Sequence, residues 1–188
     1  MKKKLKITDK TIWVTGASSG IGLALVQQLA SAGNHIYASS RDTVALSALS
    51  RQYTDIIALP CDVTDNHSVT NAVAVIRKNS PSLDMVITCA GICHYFDKGD
   101  IDCEQAQKLI NTNFMGTVRC IQAALPLIRR ENHLPQIVAL SSLSADVAFP
   151  RASIYGASKV AVNYFIRSLR SDLANSGIRP GLVHPGFI

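Results

Sequence analysis

The sequence predicts an α/β fold, a doubly wound parallel sheet. Short apolar, β-branched runs alternate with longer helical patterns along the whole chain, most of those runs are continuous, and a glycine-rich turn joins the first run to the first helix. A chain of 188 residues has room for one domain, taken over 1–188, and 47% apolar residues suffice for a sizeable core.

The first strand is read over 11–15, a β-branched and aromatic run. A helix over 20–32 follows and stops before Gly33, since a residue just past a helix often needs positive φ. The second strand is placed at 35–39, with a helix over 43–53 for which Asp42 can serve as N-cap. The third is placed at 56–60, and the helix over 66–79 starts behind Asp65, whose carboxylate can accept from an orphan amide of the first turn. A fourth strand at 83–90, one long helix over 104–130, a fifth strand at 136–142 and a helix over 153–176 ending before Gly177 complete the alternation. The sixth strand is read over 178–184, but Pro180 has no amide donor and Gly181 has no side chain to pack, so pairing is expected to begin near Leu182. In such sheets the ligand crevice lies beyond the carboxyl ends of the strands, which directs attention to the residues just after each strand.

Composition removes several classes of function. The net charge is +6, but residues 1–10 hold five lysines against Asp9 and carry +4 of it, leaving a nearly neutral body. Aromatics are 6% and scattered, so the basic stripe that nucleic-acid binding needs is missing. No apolar stretch approaches the ~18–20 residues of a membrane span. Lys2, Lys3, Lys4 and Lys6 resemble the start of a signal peptide, yet Thr8, Asp9 and Lys10 interrupt any apolar segment, and the leader reads as solvated chain. The five cysteines, at 61, 89, 93, 103 and 120, are odd in number and form no C-x-x-C, and the five histidines fall singly. Neither a disulfide framework nor a metal site is indicated, and free thiols fit a cytoplasmic protein.

After the first strand the chain reads Thr15-Gly16-Ala17-Ser18-Ser19-Gly20-Ile21-Gly22. Gly16 permits a tight turn, Gly20 lets a pyrophosphate approach the backbone, and Gly22 allows close packing of helix on strand. The helix N-terminus offers free amides to an anion. With its G-x-x-x-G-x-G spacing and preceding Thr, the sequence resembles the short-chain dehydrogenase/reductase family in its compact single-domain branch. That resemblance implies a Rossmann-like sheet of order 3-2-1-4-5-6, with Ser18, Ser19 and Ile21 joining the glycines against a dinucleotide.

Other family motifs fall where the resemblance expects them. The ribose-binding acidic residue is replaced by Ser40 and followed by Arg41, a guanidinium suited to a 2′-phosphate, which favours NADP over NAD. Asp42 is the counter-signal, although it also reads as an N-cap. Asp62-Val63 matches the pair that contacts adenine. Where the family shows Asn-Asn-Ala-Gly the chain has Thr88-Cys89-Ala90-Gly91: Ala90 and Gly91 keep the close approach to the cofactor, while Cys89 lacks the two-sided hydrogen bonding of Asn. A redox role for Cys89 is weighed against an inert buried thiol, and the inert reading is preferred.

Tyr155 and Lys159 stand four residues apart on one helix face, Ser142 lies thirteen residues before Tyr155, and Asn113 sits in Asn111-Thr112-Asn113-Phe114-Met115-Gly116. The resemblance assigns Tyr155 as general acid/base, Ser142 as the hydrogen-bond partner of the substrate oxygen, Lys159 as the cation beside the phenol and on the nicotinamide ribose, and Asn113 as holder of a water relaying protons to Lys159. A tyrosine with the ordinary pKa of ~10 is a poor catalyst near neutrality, and a neighbouring cation favours its phenolate. Ser141 and Ser144 compete with Ser142 for the serine role, and spacing selects Ser142. Pro185-Gly186 matches the family's Pro-Gly beside the nicotinamide, and His184 reads as a strand-end residue.

The resemblance therefore implies an NADP-dependent oxidoreductase interconverting a carbonyl and an alcohol on a small-molecule substrate. A homodimer or homotetramer would be paired through the helices at 104–130 and 153–176. The family pattern continues past Pro185-Gly186 to a carboxamide-binding Thr, a lid and a seventh strand, none of which this sequence contains; residues beyond Ile188, if the chain continues, would begin with that Thr and the lid, and without them turnover becomes doubtful. A second reading keeps an NADP-binding scaffold without turnover. A third, an epimerase or dehydratase, is disfavoured by the glycine spacing. Substrate choice falls to the loops at 91–101 and 143–153, where His94, Tyr95 and Phe96 either line an apolar pocket or pack in an exposed loop.

Overall fold

A computed structural model describes residues 7–97, 100–130 and 136–186. The lysine-rich leader at 1–6, residues 98–99 of the 91–101 loop and residues 187–188 lie outside the described residues. Strand β1, Thr11–Thr15, pairs in parallel with β2, His35–Ser39, on one side and with β4, Met85–Thr88, on the other. With β3, Ile56–Ala58, β5, Ile137–Leu140, and β6, Pro180–Val183, the sheet has the order β3-β2-β1-β4-β5-β6, as the resemblance implies.

The sheet is buried on both faces, and successive residues feed opposite cores. From β1 and β2, Ile12, Val14, Ile36 and Ala38 join Val26 and Leu29 of α1, Gly20–Ser31, and Leu46 and Leu49 of α2, Thr43–Gln52. Trp13 and Tyr37 face the other way, into a core with Val73 and Ile76 of α3, Asn66–Asn79, and residues of the two helices described next. Their polar tips are satisfied: Trp13 Nε1 donates to Ser39 Oγ at 2.9 Å, and Tyr37 Oη and Ser80 Oγ share a 2.7 Å hydrogen bond.

The helix expected over 104–130 is divided. It runs as α4, Cys103–Ile110, a single π turn, Asn111–Met115, and α5, Gly116–Ala124, then tightens to a 3₁₀ turn, Leu125–Leu127, at Pro126. Ile128 is already extended and bridges Leu83. Gly116 sits where a Cβ would meet Val63 Cγ2 at 2.7 Å, so α5 approaches the loop after β3 closely. The last helix, α6, is Ser153–Asp172 and contributes Val162 and Ile166 to the second core.

The expectation that β6 begins near Leu182 is corrected: the strand includes Pro180 and Gly181. The reason is its edge position. The Arg179 carbonyl accepts from the Gln136 and Ile137 amides of β5's side, whereas the Pro180 carbonyl faces away and accepts from Arg170 Nε at 3.2 Å. The missing proline donor therefore points off the sheet, where no ladder bond is lost. The N-cap expectations hold, with Ala45 N donating to Asp42 Oδ1 and His67 N to Asp65 Oδ1, both at 2.9 Å. No described helix is long and apolar enough to cross a membrane.

Candidate active site

The turn after β1 is built on glycine. Gly16 has φ +69, and a Cβ there would stand 2.7 Å from both N and Cα of Ala90, so the end of β4 rests directly on the turn. A Cβ on Gly22 would fall 2.1 Å from the Gly16 carbonyl oxygen, which lets the first turn of α1 sit against the loop itself. Ser19, at the N-cap, makes no side-chain cap bond, leaving the first-turn amides of α1 available to an anion.

A cavity of about 380 Å³ opens beyond this turn at the carboxyl ends of the strands. Every residue from Gly16 to Gly22 except the buried Ala17 lines it, together with Ser40, Arg41, Asp62, Val63, Ala90 and Gly91. All the residues expected to bind the adenosine and phosphate portion are thus brought together. Ser40 Oγ donates to Ser18 Oγ at 2.7 Å, linking the turn to the end of β2. Arg41 is exposed at the rim, while Asp42 caps α2 and does not line the cavity. Burial works to raise the Asp62 pKa, but hydrogen bonds from Thr64 N and Oγ1, with Arg41 and Arg119 nearby, outweigh it and hold the carboxyl below its ordinary value.

A second cavity of about 250 Å³ shares Ile21, Cys89, Gly91, Ile92 and Leu140 with the first and contains Ser142, Tyr155, Lys159, Pro185 and Gly186. Lys159 is buried and its Nζ donates to the Leu140 carbonyl at 3.0 Å, lying 5.7 Å from the centroid of the Tyr155 ring. Burial pulls the Lys159 pKa down to about 8, against a smaller upward pull from Cys89 and Cys93. Ser142 Oγ accepts from Ser144 N at 3.1 Å, and Ser144 itself stays outside this cavity. Ser141 lines it, but its hydroxyl is buried and directed to the Lys159 carbonyl at 3.4 Å. Leu143 N donates to Pro185 O at 3.0 Å, joining the segment after β5 to that after β6.

Asn113 is not among the residues lining either cavity. Its Oδ1 accepts from Ile92 N at 2.8 Å, and its Nδ2 donates to Ile92 O at 2.9 Å and Ser158 Oγ at 3.0 Å. The π turn swings this amide inward, where it fastens the Gly91-Ile92 backbone to α6. Burial raises the Cys89 thiol to about 12, in keeping with the inert reading, and Thr88 Oγ1 beside it is buried with no partner among the described residues. His184 does not line the site; its Nδ1 meets Asp146 Oδ2 at 2.7 Å near the surface. Of the three residues after Cys93, His94 and Tyr95 are exposed and Phe96 is buried, its ring edge-on to His94, and none of the three lines either cavity.

Sequence reasoning missed Ile92 and Cys93 as cavity residues, although both directly follow Gly91. It also missed Arg119, whose Nη1 reaches the carbonyls of Val63 at 3.4 Å and Asn111 at 3.5 Å. Nothing local marks that arginine, because its partners are remote in sequence.

An uncharacterized oxidoreductase of Staphylococcus epidermidis is 29% identical over 184 residues, which cover 97% of this chain and 80% of the relative. The glycine betaine reductase ATRR of Emericella nidulans is 29% identical over 186 residues; the match takes in 96% of this chain but only 14% of that much longer protein. Among solved structures, the RhlG/NADP active-site complex of Pseudomonas aeruginosa superimposes with a TM-score of 0.89 at 26% identity, over 97% of this chain and 74% of that one. Residues 10–188 match the short chain dehydrogenase family, from the strand that delivers the glycine turn onward, and the chain accordingly belongs to that family of oxidoreductases.

Proposed function

We propose that the protein is an NADP(H)-dependent oxidoreductase that interconverts a carbonyl and an alcohol, with Tyr155 as general acid/base. The observation that carries this reading is the convergence of Ser142, Tyr155 and Lys159 on one cavity continuous with the glycine-lined one. The glycine cradle and the uncapped start of α1 fit a dinucleotide pyrophosphate, with Asp62 and Val63 toward adenine and Lys159, Pro185 and Gly186 toward the nicotinamide end. When bound, the nicotinamide supplies or accepts the hydride. Ser142 holds the substrate oxygen in line, and Tyr155 gives that oxygen its proton in reduction or takes it in oxidation. Lys159, held by the Leu140 carbonyl, favours negative charge on the phenol oxygen. Asn113 holds a water that relays protons to Lys159, and its side chain also sets the Gly91-Ile92 wall.

Preference for NADP is supported by Arg41 at the cavity rim, by the position of Asp42 as a helix cap, and by the NADP complex of the similar Pseudomonas aeruginosa protein. The domain holds both cofactor and catalytic residues. Val160 and Tyr164, exposed on α6, support a homo-oligomer paired along that helix, and the free thiols support a cytoplasmic setting. The test is titration with NADPH in the presence of a panel of aldehydes and ketones. Loss of NADPH absorbance with carbonyl present is the expected result; binding without oxidation leaves only a cofactor-binding scaffold, and absence of binding removes both.

A further inference from the structure

Arg151 adopts φ +67, and apart from Asp9 it is the only non-glycine at positive φ among the described residues. Glycine occupies such a conformation without steric cost, so an arginine there is accounted for by what the rest of the residue does. Among the described residues it makes three contacts, all with one segment. Its carbonyl accepts from Phe96 N at 2.9 Å, its Nε pairs with Asp97 Oδ1 at 2.7 Å, and its Cζ lies 5.9 Å from the centroid of the Tyr95 ring. That segment continues directly from Ile92 and Cys93, which line the Tyr155 cavity. In the other direction Arg151 stands two residues before α6, the helix that carries Tyr155 and Lys159. The arginine thus joins the two loops to which substrate choice was assigned.

We propose that Arg151 is a positioning residue for substrate selection, fastening residues 95–97 to the start of α6 and so fixing the preceding Cys93 as the wall that a bulky carbonyl substrate meets beyond Tyr155. The proposal rests on the Tyr155 oxidoreductase reading. A compact carbonyl needs only Ser142 and Tyr155; a larger one extends to the 93–97 segment and depends on its placement. Asn113 fixes the near end of this wall at Ile92, and Arg151 fixes the far end.

The experiment compares wild type with Arg151→Gly, Arg151→Met and Arg151→Lys on propanal and on a bulky aryl ketone. Arg151→Gly, which suits the backbone best, and Arg151→Met, which keeps the apolar stem, are each expected to raise KM for the aryl ketone about tenfold. KM for propanal, kcat and the NADPH Kd should stay within about twofold. Arg151→Lys should recover most of the loss, because it keeps the charge facing Asp97 and Tyr95. A Gly variant with wild-type KM for the ketone, or equal losses on both substrates, overturns the proposal. Amide hydrogen exchange supplies an arm independent of turnover: Phe96 and its neighbours should exchange about tenfold faster in the Gly and Met variants. Unchanged exchange overturns the clamp. A wild type that reduces no carbonyl refutes the underlying oxidoreductase reading and the substrate role with it.

Discussion

Lys159 is anchored to Leu140: across the end of β5 the buried ammonium donates to the Leu140 carbonyl at 3.0 Å, on the boundary shared by both cavities. Burial depresses the lysine pKa to about 8 from 10.5, so the charged form carries its desolvation cost fully below about pH 8. Between about pH 8 and about 10.5 the unfolded state binds more protons than the folded one, and stability rises with pH from this group. The rise amounts to about 3 kcal/mol. Urea unfolding of the ligand-free protein across this window should show that contribution, and Lys159→Met should lack it. Parallel pH profiles for the two proteins would refute the assignment.

Tyr155→Phe removes the phenol hydroxyl proposed as the proton donor while leaving the ring in place beside Lys159. Turnover is expected to fall by about 10² or more. NADPH affinity, measured by fluorescence titration, should be unchanged.

Arg41→Ala should weaken NADPH binding about tenfold or more and leave NADH binding nearly as it was, because a guanidinium at the rim matters only to a ligand with a 2′-phosphate. Equal effects on the two cofactors, measured as Kd, would count against NADP preference.

Gly22→Ala and Gly20→Ala separate two uses of glycine. At Gly22 the new methyl would lie 2.1 Å from the Gly16 carbonyl, so the turn must move, and a destabilisation of about 1–3 kcal/mol with loss of cofactor binding follows. At Gly20 nothing lies within 4 Å, and only φ +52 opposes the substitution, at about 1–2 kcal/mol. Thermal unfolding and cofactor Kd check both.

Asn113→Ala deprives the Ile92 amide and carbonyl and the Ser158 hydroxyl of their shared partner. The expected cost is about 1–3 kcal/mol in chemical denaturation, accompanied by a higher KM as the Gly91-Ile92 wall loosens.

Much of this was legible along the chain. Trp13 and Tyr37 within apolar strands, the caps Asp42 and Asp65, and the spacing from Ser142 to Tyr155 are local signals, and β1, β2 and α3 fall where those signals place them. The glycine turn needed no tertiary information either, since conformational freedom is a property of the residue.

What only the tertiary structure decided depends on pairings between distant residues. The π turn interrupts a helix whose pattern is otherwise continuous, because Asn113 finds Ile92 and Ser158 across the fold. Pro180 pairs within β6 because the strand lies at the sheet edge with its donorless side turned outward, a position no propensity records. Arg151 and Asp97 meet because two loops converge above Tyr155. Sequence by itself determined the family and the sheet and picked out the residues proposed for the chemistry, whereas folding determined which backbone and side-chain groups hold them in place, since that depends on proximity in space.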